Sequence, residues 1–391
     1  MNRRRFLSLL AILATAPAVA QNSSFAAFLA TLRPAAQAAG VSAETFDSVA
    51  AGLSPDPSLT GLRAGQSEFV KPLRAYVEEA ASPRRAALGR EQAQRMAAPL
   101  RQIAAKTGAP PEIIVALWGM ETDYGRARGD RDILRSLATL AYIHPDNPVY
   151  AQEYIAGLML LDKGMATRQQ LRGSWAGAMG DPQFMPSAYL KYAVSFAGAG
   201  APDIWSSGPD SLASIGNFLD KSGWKPGLPP LVETRIPADF NYATLQQDFS
   251  GWAQAGFTPL DGGGLPQGGA AMLFLPAGAN GPAFLLSENF FVLKAYNFSD
   301  SYAMAAAVLA ERIAGRAVLQ TPWPQEAHPL TQAEREAIQT GLTRLGLYSG
   351  KIDGRFGPVT RLAIHQFQRQ HGVRQADGYP SRAVLEALRA Q

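Results

Sequence analysis

Alanine and leucine recur at intervals of three and four residues through the first half of the chain, the spacing of one face of a helix. The pattern runs from Asn22 to about Gly223, with breaks such as Ser82-Pro83 and His144-Pro145. It returns from Ser299 to about Ala314. Because so much of the chain carries this period, we predict a mainly α fold.

The amino-acid composition changes between about Lys225 and Asn297, where glycine and proline are frequent. They separate short β-prone runs, of which Met272–Leu275 and Phe290–Leu293 are examples. We interpret residues 225–297 as a small β-rich insertion in the helical domain.

The N-terminus has the pattern of an export signal. Arg3–Arg5 precede an apolar run from Phe6 to Ala16, and the small residues Ala18 and Ala20 fit a cleavage site. We expect residues 1–20 to be removed and the mature protein to be periplasmic. No stable membrane anchor is expected, because the apolar run is too short and no later stretch has membrane-spanning length. The arginine run also fits the twin-arginine export motif, so the Sec and twin-arginine routes both stay open.

Composition excludes several classes of function. The 391 residues include no cysteine, which excludes disulfides, thiolate metal sites and cysteine nucleophiles. The four histidines show none of the spacings typical of metal ligands, so we expect no metal and no cofactor. The formal net charge is +4, and loss of the three signal-peptide arginines leaves +1. A nucleic-acid partner is therefore not expected.

The C-terminal part of the chain is predicted to be a separate module. Residues 319–329 include Pro322, Pro324 and Pro329 and suit a semi-rigid linker between a catalytic domain, residues 21–318, and residues 330–391. In the module, a capping box of Thr331 and Glu334 opens a helix, Pro358 suits the first turn of a second helix, and Ser381 can cap a third. The expected core consists of Leu342, Leu345, Leu362, Ile364, Phe367, Val373 and Leu385.

This module resembles the peptidoglycan-binding domain found attached to many wall enzymes. The resemblance rests on the segments Leu345–Gly350 and Asp353–Pro358, on Thr360 and Ala363, and on Phe367-Gln368. It implies a small three-helix domain that binds peptidoglycan. Whether the module contacts glycan, peptide or another protein stays open. Candidate contacts near its turn are Tyr348, Arg355 and Phe356.

The first candidate catalytic segment is a helix predicted to begin at Pro110-Pro111 and to stop at Gly125. On this helix Glu121 lies one turn from Leu117 and Trp118, on an apolar face. Desolvation there raises the pKa of a carboxyl group, which suits a general acid that must hold a proton near neutral pH. The alternative is a buried glutamate paired with an arginine such as Arg126.

The second segment runs from Gly173 to Tyr189 and is dense in small residues. Small residues permit close helix approach or leave room for a ligand. Ser174 and Gln183 can hydrogen-bond the hydroxyl or acetamido groups of a sugar. Their alternative roles are helix capping and hydrogen bonding within the core.

Together the two segments resemble the murein transglycosylase B family. The E-T-x-x-G-R motif is present as Glu121–Arg126, the G-A-M-G…Q-F-M-P-S motif as Gly177–Ser187, and a third piece as Lys294–Asn297 with Tyr302. The resemblance covers about Phe25 to Ala314. It implies a lysozyme-like, mainly helical domain with a β insertion and a catalytic acid/base at Glu121. The sugar-site residues that it implies are Ser174, Gln183, Tyr296, Asn297 and Tyr302.

Two stretches depart from the family pattern. Gly180-Asp181-Pro182 stands where the pattern has Gly-Tyr-Gly, and we interpret it as a tolerable loop change. Some members carry an aspartate-rich calcium loop, and the corresponding stretch here is Ser195–Trp205. Its alanine side chains supply no oxygen ligands, so a calcium site is not expected.

The resemblance implies a lytic transglycosylase acting on peptidoglycan glycan strands, with formation of 1,6-anhydromuramic acid ends. Such an enzyme needs one carboxylate, whereas ordinary glycosidases use two. Asp123 lies two positions from Glu121 and so points to a different side of the helix. A muramidase and a non-catalytic wall-binding protein remain alternatives, and an enzyme on another polysaccharide is disfavoured by the C-terminal module. Whether cell-wall synthesis proteins are further partners stays open.

Overall fold

The computed structural model describes residues 24–60, 71–324, 330–373 and 376–391. The predicted signal peptide and part of the predicted linker lie outside these ranges. Within them the chain forms sixteen α-helices and two small antiparallel sheets. The mainly α prediction is confirmed. None of the helices in the described ranges combines the length and apolar character needed to cross a bilayer.

The helical part of the N-terminal domain begins at the residues that its local signals indicate. Serine, aspartate or asparagine side chains accept backbone N–H groups at several helix starts, as Ser82, Asp132 and Ser207 do. The first ten described helices are α1 Phe25–Ala38, α2 Ala43–Ala51, α3 Leu73–Ala80, α4 Pro83–Arg95, α5 Ala97–Thr107, α6 Pro111–Thr122, α7 Ile133–Ile143, α8 Pro148–Asp162, α9 Pro186–Tyr192 and α10 Gly208–Lys221.

One small sheet pairs β1 Arg131–Asp132 with β2 Arg172–Gly173. The β-rich region forms the other sheet, whose five antiparallel strands are β3 Leu231–Arg235, β4 Gln246–Asp248, β5 Thr258–Pro259, β6 Ala270–Phe274 and β7 Ala283–Ser287. Their order in the sheet is β4-β6-β7-β3-β5.

The central strand β7 is buried on both faces. Phe284 and Leu286 join the main helical core, whereas Ala283 and Leu285 join a second core around Trp252. Trp252 lies on the short helix α11 Phe249–Gln254.

The prediction of a β-prone run at Phe290–Leu293 is wrong, because these residues belong to helix α12 Glu288–Asn297. The hydroxyl of Ser287 accepts the N–H of Asn289 at the helix start, and Glu288 complements the positive end of the helix. A short apolar run does not by itself distinguish a strand from a buried helix. The next helix, α13 Asp300–Ile313, follows after two residues.

The first residues of the predicted linker, which the structure describes as far as residue 324, are hydrogen-bonded to the five-stranded sheet. The buried carboxylate of Glu233 accepts the backbone N–H groups of Gln320 and Thr321, both at 2.8 Å. Trp323 packs against the main core. These contacts fix the point at which the chain leaves the N-terminal domain.

The C-terminal module contains three helices, α14 Gln332–Arg344, α15 Pro358–Gln370 and α16 Arg382–Arg389. The capping box of Thr331 and Glu334 is confirmed, as is the cap by Ser381. Leu362 is 42% exposed, so its predicted place in the core is wrong. It lies on the side of α15 opposite the buried positions, since helical residues three and four apart share a face. The fully buried positions of this small core include Ile338, Leu342, Ile364, Phe367 and Val384.

The module contacts the turn between β6 and β7. The Arg361 guanidinium lies 5.6 Å from the centre of the Phe274 ring, and its Nη1 donates to the carbonyl of Leu275 at 3.3 Å. In the same contact, Asp377 Oδ2 accepts the N–H of Ala279 at 2.9 Å. The two domains are therefore docked through an arginine and an aspartate.

We expect Arg361→Ala to loosen this docking, because it removes a cation–π contact and a hydrogen bond that together contribute about 1–2 kcal/mol. Small-angle scattering should then show a larger radius of gyration and a broader distance distribution. Arg369→Ala on the exposed side of the same helix is the control and should leave both unchanged. Identical scattering from Arg361→Ala and the unsubstituted protein would contradict a docking role for Arg361.

Candidate active site

Glu121 lies in the last turn of α6, which ends at Thr122, three residues before the predicted stop at Gly125. The helix ends there because Asp123 and Tyr124 adopt left-handed backbone angles, with φ of 49° and 63°. A Cβ at Gly119 would lie 2.6 Å from the Tyr124 ring, so glycine at that position lets the turn fold back against the helix. The predicted apolar neighbours of Glu121, Leu117 and Trp118, are buried.

Glu121 is half-buried and accepts a hydrogen bond from the hydroxyl of Tyr302 at Oε1. Tyr302 lies in the first turn of α13 and is only 2% exposed. Burial, reinforced by the negative charge of Glu121, raises the pKa of Tyr302 well above its usual value. Tyr302 therefore remains a hydrogen-bond donor to the carboxylate across the physiological pH range.

A second tyrosine supports the first. The rings of Tyr296 and Tyr302 are stacked, with centroids 6.3 Å apart and planes at 12°. The Tyr296 hydroxyl donates to the carbonyl of Pro182 at 2.8 Å. Burial also raises the pKa of Tyr296 well above its usual value. The Tyr296 hydroxyl thus binds the loop that carries Gln183, and the Tyr296 ring packs against the ring of Tyr302.

Gln183 has a left-handed backbone, with φ of 50°. Its Nε2 donates to the carbonyls of Gly180 at 2.9 Å and Arg128 at 3.1 Å. A side-chain amide nitrogen carries two hydrogens, so both are used within the protein. The carbonyl end of Gln183 is the part suited to accept a donor from a bound sugar.

Asp181 is the site-region residue that the sequence analysis missed. It is 2% exposed and forms an ion pair with Arg128, and its carbonyl accepts the Thr122 hydroxyl at 3.1 Å. Burial raises the pKa of its carboxyl, and the Arg128 guanidinium opposes that rise. The departure from Gly-Tyr-Gly was the sequence feature that could have pointed to Asp181. The buried carboxylate of Asp181 and the partly exposed guanidinium of Arg128 thus form an ion pair next to the end of α6.

Ser174 closes a tight turn. Its Oγ accepts the N–H of Ala178 at 3.0 Å, and its own N–H donates to the Ala178 carbonyl at 2.8 Å. The hydrogen of the hydroxyl is not used in these bonds, so Ser174 can still donate to a ligand. Backbone bridges from Gly173 to Met179 and from Met179 to Phe184 connect this turn to the segment of Gln183.

Asn297 is the last residue of α12 and is half-buried. It follows Tyr296 directly and lies five residues before Tyr302. The structure therefore brings the three motif segments together around the end of α6, through the Tyr302–Glu121 bond, the Tyr296–Pro182 bond and the contacts of Gln183.

The nearby carboxylates are bound to arginines. Asp123 lies 3.4 Å from Arg85 and 3.8 Å from Arg126, and Asp181 is paired with Arg128. Arg126, the arginine considered as an alternative partner for Glu121, thus contacts Asp123.

The stretch Ser195–Trp205 is held by carboxylates that bind backbone. Asp210 accepts the N–H groups of Phe196 at 3.0 Å and Asp203 at 2.8 Å, and Asp203 in turn accepts that of Trp205 at 3.0 Å. Across the described ranges, no group of three or more histidine or acidic side chains is arranged to hold a metal ion.

Comparison with known proteins matches both parts of the chain to known domain families. The transglycosylase SLT domain family matches residues 24–311, and a peptidoglycan binding domain family matches residues 331–388. Membrane-bound lytic murein transglycosylase B of Escherichia coli (strain K12) is 36% identical over 211 residues, which are 52% of this chain. That match spans 57% of the length of the relative.

Solved structures resemble this chain over most of its length. SltB3 from Pseudomonas aeruginosa, in complex with NAG-anhNAM-pentapeptide, is 39% identical with a TM-score of 0.85, covering 94% of this chain and 100% of that chain. The Escherichia coli lytic transglycosylase Slt35, in complex with calcium, is 28% identical with a TM-score of 0.62, covering 75% of this chain and 93% of that chain.

The mainly helical domain with its β-rich insertion and the three motif segments around Glu121 fit the family that matches residues 24–311. The chain therefore belongs to the transglycosylase SLT domain family.

Proposed function

We propose that this protein is a lytic transglycosylase that cleaves the β-1,4 bond between N-acetylmuramic acid and N-acetylglucosamine in peptidoglycan. The observation that carries the proposal is the half-buried Glu121 at the end of an apolar helix, oriented by the hydroxyl of Tyr302. The likeness to SltB3, solved with NAG-anhNAM-pentapeptide, supports an anhydro sugar as the product. The proposed sugar contacts are Ser174, Gln183, Tyr296, Asn297 and Tyr302.

In the first step Glu121 donates its proton to the glycosidic oxygen, and the bond to the muramyl anomeric carbon breaks. The acetamido oxygen of the muramyl residue stabilises the positive charge that develops there. Glu121, now a carboxylate, removes the proton of the muramyl 6-hydroxyl as this oxygen attacks the anomeric carbon. A 1,6-anhydro ring forms, and Glu121 regains its proton. One group serves as acid and then as base, so water is not a reactant.

The arrangement of the other carboxylates favours this reaction over hydrolysis. A glycosidase that hydrolyses its substrate uses a second carboxylate as nucleophile or base. Asp123 is directed to Arg85 and Arg126, and the buried Asp181 is paired with Arg128. Neither carboxylate is in a position to serve as a freely accessible base.

Export to the periplasm and the C-terminal module complete the proposal. The predicted signal peptide would deliver the enzyme to the compartment of its polymer substrate. A module that binds peptidoglycan raises the effective concentration of the catalytic domain at its next bond.

Glu121→Gln keeps the size of the side chain but removes its acid and base function. We expect the release of anhydromuropeptides from purified sacculi to fall by about a hundredfold or more. Mass spectrometry detects these products as one water lighter than hydrolytic muropeptides. Asp123→Asn is the matched control and should still give anhydro products.

Three outcomes would contradict the proposal. Near-full activity of Glu121→Gln would exclude Glu121 as the acid, and reducing-end products from the unsubstituted protein would identify a muramidase instead. Absence of any product from the folded, unsubstituted protein would favour a non-catalytic wall-binding role.

Tyr302→Phe tests the orienting hydrogen bond. Without this bond the carboxyl of Glu121 loses the contact that holds its direction, so we expect kcat to fall about ten- to a hundredfold while KM stays within about twofold. Tyr296→Phe keeps the bond between Tyr302 and Glu121 and loses only the bond to Pro182, so its kcat should fall less. A kcat of Tyr302→Phe equal to that of the unsubstituted enzyme would contradict this role.

A further inference from the structure

Left-handed backbone angles single out a few residues of the described chain. For any residue other than glycine this conformation is costly, and for a bulky side chain it is uncommon. Such residues concentrate where a site needs a fixed geometry. Within the described ranges the non-glycine residues with positive φ are Asp123, Tyr124, Gln183, Phe298 and Leu319.

Four of these five side chains make contacts that offset the backbone cost. Tyr124 is buried and donates to the carbonyl of Arg85 at 2.8 Å, and Asp123 pairs with the Arg85 guanidinium. The amide of Gln183 makes two hydrogen bonds, and Leu319 packs against the main core. At each of these four residues, packing or polar contacts of the side chain stabilise the strained backbone conformation.

Phe298 differs from the other four. Its φ is 56°, and its side chain is 80% exposed, more than any other large hydrophobic side chain in the described ranges. An exposed phenyl ring gains little from packing, and glycine or asparagine would adopt this backbone at lower cost. Neither the backbone conformation at position 298 nor burial of its side chain in the core explains why the residue is a phenylalanine.

The position of Phe298 in the fold suggests an explanation. It joins α12 to α13 and lies directly after Asn297 and four residues before Tyr302, the residue that binds Glu121. Its N–H donates to the carbonyl of Lys294 at 2.6 Å, and an ion pair of 2.8 Å between Lys294 and Asp300 spans the same connection. The exposed ring is therefore carried by a short turn that these contacts hold in place, between Asn297 and Tyr302 of the proposed site, and not by a long loop.

We propose that the ring of Phe298 is a stacking surface for a sugar ring of the bound glycan strand. Pyranose rings of β-1,4-linked amino sugars have an apolar face of C–H groups, which a flat aromatic ring covers while the hydroxyl and acetamido groups stay in water. A glycan strand extends beyond the bond being cut, so its neighbouring sugars pass the rim of the site. This inference rests on the proposed function and assigns Phe298 to binding rather than to chemistry.

The test compares substitutions of Phe298 in the full-length protein on soluble, uncrosslinked glycan strands. Phe298→Ala should raise KM about three- to tenfold, with kcat within about twofold and the anhydro product unchanged. Phe298→Trp and Phe298→Tyr keep a flat ring and should retain the KM of the unsubstituted protein. Phe298→Leu keeps apolar bulk without a flat face and should behave like Phe298→Ala.

Three further measurements separate a role of Phe298 in binding from a role in folding. Phe298→Gly removes both the ring and the backbone strain, so it should melt no lower than the unsubstituted protein and yet show the same rise in KM. Phe291→Ala removes another exposed phenyl ring, about 10 Å earlier along α12, and should leave KM unchanged. Calorimetric titration of glycan strands into Glu121→Gln with and without Phe298→Ala measures the binding difference without turnover.

An unchanged KM and an unchanged dissociation constant for Phe298→Ala would overturn the inference, as would full retention by Phe298→Leu. These results are distinguishable from failure of the proposed function, in which the unsubstituted protein itself would release no anhydro products.

Discussion

A hydrogen bond from Tyr302 to Glu121 joins residues 181 positions apart in the chain, and the rest of the site depends on it. It requires α6 and α13 to pack closely. α13 permits this because its buried face is largely alanine, with Ala303 and Ala306 fully buried. The carboxyl of Glu121 therefore has a defined direction only in the folded domain, where the chain returns from the β-rich insertion through α12 and α13.

The loop from Gly180 to Gln183 is the second support of the site. Thr122 at the end of α6, Arg128 and the hydroxyl of Tyr296 all bind it, and the N–H of Asp181 donates to the carbonyl of Ile204 at 2.9 Å. A buried loop must satisfy its backbone groups, and here the partners that satisfy them are the segments that carry the proposed catalytic and sugar-binding residues. Displacement of any one of these segments would be transmitted to Glu121.

The β-rich insertion has a further role, since it also positions the C-terminal module. Glu233 on β3 binds the chain as it leaves the N-terminal domain, and the turn after β6 receives Arg361 and Asp377. The module is consequently fixed relative to the sheet. A polymer bound to the module and to the proposed site would meet both in one defined arrangement.

The sequence by itself determined the helical class of the protein, the start of α6 at Pro111 and the capping box at Thr331, because these signals act within one or two turns of the chain. It also indicated Glu121 and the three motif segments. Local pattern misassigned Phe290–Leu293, since a short apolar run fits a strand and a buried helix equally well until its surroundings decide. Only the tertiary structure decided that Tyr302 orients Glu121 and that the buried Asp181 pairs with Arg128. Those contacts join segments far apart in the chain, and no local periodicity or cap encodes which distant side chains will meet.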